Sequence, residues 1–187
     1  MNKKTVALTE EQFKTIIETM REVNSFFRPN PRIATALVLE ANLGLRISDI
    51  LRLKLSDIVL DGERYRLDII EQKTGKKRTF TVPMGIYNYI KAYCFDKGIG
   101  ADDIIFPITE RAVQKYLKSV CDYLGFENVS THSFRKFYAT NIYNQSGYNI
   151  ALVQTLLQHS SSAVTQKYIG IQPKEIEQAI EKHMMLL

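Results

Sequence analysis

The sequence predicts a mainly α fold with a small three-stranded antiparallel sheet, and three observations lead there. Apolar residues recur at helical spacing over most of the chain. Only the middle switches to short β-rich runs broken by turn dipeptides. Capping residues stand in front of several of the helical runs. The chain has 187 residues, of which 45% are hydrophobic, enough for one good core. No repeat, low-complexity tract or Pro/Gly/Ser linker interrupts it, so a single domain over residues 1–187 is expected.

Each element has a local reason. Thr9 followed by Gln12 is a capping box opening a helix through about Phe27, with Phe13, Ile16, Ile17 and Met20 on one face. Pro31 starts a second helix, apolar on most sides and therefore central to the core, which Gly44 stops. Ser48 and Asp49 read as the cap of a short helix carrying Ile50, Leu51 and Leu53. Ile58–Leu60, Tyr65–Ile70 and Arg78–Val82 read as strands, joined by turns at Asp61-Gly62 and Thr74-Gly75. Helical periodicity returns over Gly85–Asp96, Glu110–Leu124 and Ser133–Gln145. Asn149 caps a helix to about Gln158, Ser162 caps a short one holding Tyr168, and a last amphipathic helix runs from Pro173 toward Met184.

Composition narrows the function classes. A formal net charge of +5 favours a polyanionic partner, though only modestly. Cys94 and Cys121 are too few for a disulfide framework and are not spaced as a metal pair, so buried free thiols in a reducing cytoplasm are expected. The N-terminus lacks the apolar run of a secretory signal, and the longest apolar stretch, Ile33–Leu39, is too short to span a bilayer. Phosphate loops, GxGxxG, HExxH and CxxC motifs are absent, so no cofactor and no metal is expected.

What remains is a scatter of Arg, Lys, His and Tyr. Arg46 lies between Leu45 and Ile47; its planar fork suits a phosphate, although a loop Arg at the surface is the commoner case. His132 and Arg135 share one face at the start of a helix, where free N–H groups and the dipole favour an anion. A capping-region His with a solvated Arg is at least as common. Lys73 ends the second strand, and Lys76, Lys77 and Arg78 make a basic hairpin tip that either is solvated or enters a DNA groove. His159 precedes Tyr168 by nine residues, and any one of ten tyrosines is more often packing than nucleophile.

Taken in order, Arg46, Lys73, His132-x-x-Arg135, His159 and Tyr168 resemble the active-site set of the tyrosine recombinases, the phage-integrase family. The neighbourhoods resemble it too. Asn42–Ile50 is similar to the family's "tGLRisEl", Thr131–Arg135 to "HdLRh", Leu156–Tyr168 to "LLGHss…Y" with its nine-residue interval, and Ile104–Pro107 to "lFp". The resemblance covers roughly residues 8–170. Three positions depart from it: Asp49 stands where Glu is common, Lys136 replaces a second His, and Gln158 replaces the Gly before His159.

The resemblance implies the catalytic-domain fold of DNA breaking–rejoining enzymes and attack by Tyr168 on a phosphodiester to give a 3′-phosphotyrosyl link, without metal or ATP. It assigns Arg46 and Arg135 as the phosphate clamp, Lys73 as general acid and His132 as proton acceptor. His159 would donate to a phosphate oxygen, and Asp49 would support the site from behind. Double-stranded DNA is the implied partner, with a homotetramer on paired sites and a monomer or weak oligomer alone. The N-terminal core-binding domain that most relatives carry is expected to be absent from this chain. A DNA-binding regulator with impaired strand exchange and a type IB topoisomerase-like enzyme are the alternatives.

Overall fold

The first helix opens where its capping box puts it but closes early. In the computed structural model, which describes residues 5–23 and 25–169, α1 spans Glu10–Arg21. The Thr9 side chain accepts from Gln12 N–H and the Gln12 side chain from Thr9 N–H, as expected. The expected run to Phe27 fails because the chain turns back. Asn30 N–H donates at 2.8 Å to the Met20 carbonyl that a continuing helix would use itself, and the two prolines at 29 and 31 keep this segment extended.

Asn30 then caps α2 (Pro31–Leu43), whose side chains at 33–37, 39–41 and 43 are buried. Gly44 ends α2 at φ 58°. Its backbone leaves no alternative, since a Cβ there would lie 2.3 Å from the Tyr138 ring. The next helix, α3 (Ile47–Ile50), starts one residue before the expected cap, with Arg46 at its N-cap. The Asp49 side chain is spent elsewhere, accepting the Gln72 N–H at 2.8 Å.

A single 3₁₀ turn (Leu55–Asp57) leads into β1 (Ile58–Asp61), β2 (Arg64–Ile70) and β3 (Lys77–Val82). They form one antiparallel sheet in the order β1-β2-β3, with Leu67 opposite both Ile58 and Phe80. Lys73 does not end the second strand. Strand β2 stops at Ile70, and Lys73 sits in the turn closed by Glu71 N–H to Lys76 C=O and Gly75 N–H to Glu71 C=O, both 2.9 Å.

Then come α4 (Met84–Lys97), α5 (Glu110–Leu124), α6 (Thr131–Gln145), α7 (Ile150–Leu157) and α8 (Ser162–Ile169). Helix α6 begins earlier than periodicity suggested, because the Ser133 hydroxyl accepts the Ser130 N–H and brings His132 into its first turn. The chain forms two compact units, Met1–Tyr138 and Ala139–Leu187. The main apolar core, from Leu8 to Phe134, belongs to the first. Cys94 and Cys121 are buried free thiols, and burial pushes Cys121 up to about 12. Among the described residues no helix is long and apolar enough to cross a membrane. The expected helix from Pro173 lies outside the described residues.

Candidate active site

The first unit gathers residues that are far apart in sequence. Arg135, in the second turn of α6, is 2% exposed and donates to the Gly44 carbonyl, so the αL turn after α2 is both the end of a helix and the seat of a guanidinium. Tyr138 packs over the same glycine. Arg46, two residues beyond it, is half-buried and donates to Glu71 Oε2 at 2.6 Å. His132 is exposed at the start of α6, yet it is held below the ordinary histidine value by loss of solvation, and then by the charges of Arg135, Lys73 and Arg46 acting on its ring, with Glu110 opposing. Arg46, Lys73, His132 and Arg135 therefore share one electrostatic neighbourhood. At neutral pH the imidazole is uncharged and able to accept a proton.

The turn carrying Lys73 is tied down from several sides. Asp49 accepts the Gln72 N–H, and Glu71 accepts from the Thr74 hydroxyl at 2.8 Å as well as from Arg46. Glu71 also takes Arg78 Nη1 at 3.0 Å on its other oxygen. Burial alone would raise the Glu71 carboxyl, but its hydrogen bonds from Arg46, Thr74 and Arg78 outweigh that and hold it below its ordinary value.

The basic hairpin tip divides. Lys76 and Lys77 are exposed, and Lys77 Nζ lies 3.1 Å from Asp68 Oδ2. Arg78 differs from both: it is 2% exposed, paired with Glu71, and its guanidinium carbon lies 5.0 Å from the Phe80 ring centre. A guanidinium so enclosed supports the sheet instead of reaching into solvent.

Sequence reasoning missed Glu71, yet a signal was present. Leu67 and Ile69 share one face of β2 and Glu71, just past its end, continues the alternation, as Arg78, Phe80 and Val82 alternate on β3. An acid and a base in phase with inward apolar residues mark a buried pair. Glu40, fully buried on α2, was also missed. Burial raises its carboxyl well above the usual range, only partly offset by Arg135.

Within the second unit, several contacts join near neighbours in sequence. Gln158 closes α7 in the left-handed region at φ 53°, and His159 N–H then bonds Gln154 C=O at 3.1 Å. The substitution of Gln for Gly thus keeps the αL turn. The His159 Nδ1 lies 3.1 Å from the hydroxyl of Thr165, which is fully buried. The ring stands edge-on to Tyr168, with centroids 5.0 Å apart at 79°. One helical turn separates Thr165 from Tyr168 on α8, so the hydroxyl, imidazole and phenol form one compact group. Thr165 too escaped sequence reasoning.

The model of the phage integrase family matches residues 7–175. The chain belongs to the phage integrase family. It is 29% identical over 163 residues to the probable integrase/recombinase YoeC of Bacillus subtilis, covering 83% of this chain and 87% of YoeC. It is also 29% identical over 193 residues to the tyrosine recombinase XerA of Pyrococcus furiosus, covering 96% of this chain but 62% of that protein. The fold matches the XerH site-specific recombinase, bound to a palindromic difH substrate in a post-cleavage complex. The TM-score is 0.70 at 20% identity, over 96% of this chain and 53% of XerH. The mainly helical architecture with one three-stranded sheet is thus that of a tyrosine recombinase catalytic domain. The chain spans only part of the length of XerA and XerH.

Proposed function

We propose that this chain is the catalytic domain of a site-specific recombinase, an integrase of a phage or mobile element, that cuts and rejoins double-stranded DNA through a 3′-phosphotyrosyl intermediate. The observation that carries the reading is that the Arg135 guanidinium is seated on the Gly44 carbonyl, two residues before Arg46, whose own guanidinium is tied through Glu71 to the turn carrying Lys73. Family membership and the DNA-bound state of XerH support it.

In this reading Arg46 and Arg135 hold the non-bridging oxygens of the scissile phosphate and stabilise the charge that grows on them during attack. The Tyr168 oxygen forms the new bond to phosphorus, and its proton passes to His132. The bond to the 5′-oxygen breaks, and Lys73 protonates that oxygen as it leaves. His159 donates to a phosphate oxygen. One phosphate ester replaces another, so a free 5′-hydroxyl can reverse the step without ATP or a metal ion. Tyrosine needs this setting, because its ordinary pKa of roughly 10 makes it a poor nucleophile at neutral pH. Lys76 and Lys77 are the exposed cations expected to follow the backbone of the duplex. Exchange between two duplexes, each bound by two copies, gives a homotetramer on paired sites and a monomer or weak oligomer without DNA.

The test is covalent trapping. Nicked duplexes with randomised arms are incubated with the protein, and denaturant-stable adducts are isolated and sequenced. Wild type should yield an adduct on a defined sequence, and Tyr168→Phe none. Binding without any adduct would leave a DNA-binding regulator and overturn the enzyme. An adduct that survives Tyr168→Phe would overturn the nucleophile.

A further inference from the structure

Glu71 is not needed by the chemistry above, yet its side chain is heavily engaged beside it. Its side chain has no solvent exposure, and both carboxylate oxygens are occupied: Oε1 by Arg78, Oε2 by Arg46 and by the Thr74 hydroxyl. Its backbone N–H and C=O close the turn from Glu71 to Lys76. The residue after it is fixed by Asp49, from the helix that Arg46 caps. Lys73 therefore stands between pinned residues on both sides.

A pair with Arg78 alone would satisfy the interior of the sheet. Bringing a second guanidinium to the same buried carboxylate adds desolvation without adding apolar packing, which makes it a weak device for stability. It is an effective device for register. A planar carboxylate that bridges two elements fixes distance and direction together.

We propose that Glu71 is a positioning residue that locks the Arg46 guanidinium to the turn carrying Lys73, so that one carboxylate sets both the phosphate clamp and the leaving-group acid. The inference rests on the DNA-cleavage reading for the roles of Arg46 and Lys73, while the geometry of Glu71 stands apart from it.

Glu71→Gln alone leaves Arg78 enclosed without a counter-charge and is expected to fold poorly, so the comparison is Glu71→Gln/Arg78→Met against Arg78→Met. The first measurement uses the free proteins. Amide hydrogen exchange over residues 72–76 should speed up by about tenfold or more in the double variant, as a turn loses its tether. Unchanged protection there overturns the proposal whatever the protein does to DNA. The second measurement is single-turnover cleavage of a duplex recovered by covalent trapping. The double variant should cut at least about tenfold more slowly than Arg78→Met, as misplaced groups do, with duplex affinity unchanged. On the same duplex with sulfur as the bridging 5′-atom, the gap should shrink, because a thiol, with a pKa of roughly 8.5, leaves without being protonated. Equal rates, or a gap of the same size on the sulfur duplex, would sink the coupling to Lys73. Loss of protection with no adduct from wild type would instead retain the tether and overturn the cleavage roles.

Discussion

The two units hold their functional groups by opposite means. In the first, Arg135 and Arg46 are built in: one guanidinium is enclosed against the Gly44 carbonyl, the other is paired with the fully buried Glu71, and α2, α3, the β2–β3 turn and α6 all contribute. In the second, His159, Thr165 and Tyr168 lie within ten residues and are linked by a hydrogen bond and a ring contact. Charge that must be in place before a substrate arrives needs a rigid, long-range frame. In the proposed reaction the nucleophile is activated by that frame, and its near neighbours have only to align it. Removing a guanidinium from the first unit should therefore damage fold and chemistry together, whereas removing the Tyr168 hydroxyl from the second should damage chemistry alone.

The largest expected effects break this comparison most directly. Arg135→Ala should lower cleavage by about 10³-fold, as loss of an electrostatic transition-state contact does. It should also cost about 2–4 kcal/mol in urea unfolding, because the Gly44 carbonyl loses its buried donor. Tyr168→Phe should abolish the covalent adduct while changing stability by no more than about 1 kcal/mol. If Arg135→Ala unfolds at the wild-type midpoint, the guanidinium is not part of the frame and the contrast collapses.

A smaller effect concerns pH. The imidazole of His132 is lowered from 6.5 by loss of solvation and by Arg135, Lys73 and Arg46. A depressed value keeps the neutral, proton-accepting form present further into acid. The kcat/KM profile, which reports the free enzyme, should stay flat down through the usual histidine range. Below the lowered value it should fall about tenfold per pH unit. Stability follows the same sign: the unfolded chain binds the proton more readily, so stability is lost as pH falls below 6.5. A fall in kcat/KM centred at or above 6.5 would show that those cations do not act on His132.

The sequence was legible where the determinants are local. Thr9 with Gln12, Asn149 with Leu152, and Gly44 at the end of an apolar run are all short-range signals, and each helix end they mark is where it should be. The strand pattern succeeded for the same reason. Phe27 failed as the end of α1 because a bond from Asn30, across the turn, takes the Met20 carbonyl, and no window of periodicity contains that. At the site, spacing and family resemblance singled out Arg46, Lys73, His132, Arg135, His159 and Tyr168. They did not find Glu71, whose role depends on Arg46 and Arg78, respectively 25 residues before it and 7 after it. Charge taken along the chain places Arg78 in a basic hairpin tip; the alternation of β3 turns it inward, where it is buried.

The finest comparison uses two αL positions, one in each unit. Gly44 and Gln158 both end helices at nearly the same φ, 58° and 53°. Gly44 has Tyr138 where a side chain would begin, so Gly44→Ala should combine αL strain with a ring displacement and cost about 2–4 kcal/mol. Gln158 already bears a side chain in that conformation. Its substitution by Gly should remove about 1–2 kcal/mol of αL strain, less the extra entropy glycine gives the unfolded chain. The balance is a gain of about 0.5–1 kcal/mol in unfolding experiments. Because His159 N–H still reaches Gln154 across the turn, cleavage by Gln158→Gly should stay within about twofold of wild type. A loss of stability would mean that the Gln158 side chain contributes more than its strained backbone costs, and that the second unit is not held by local backbone geometry alone.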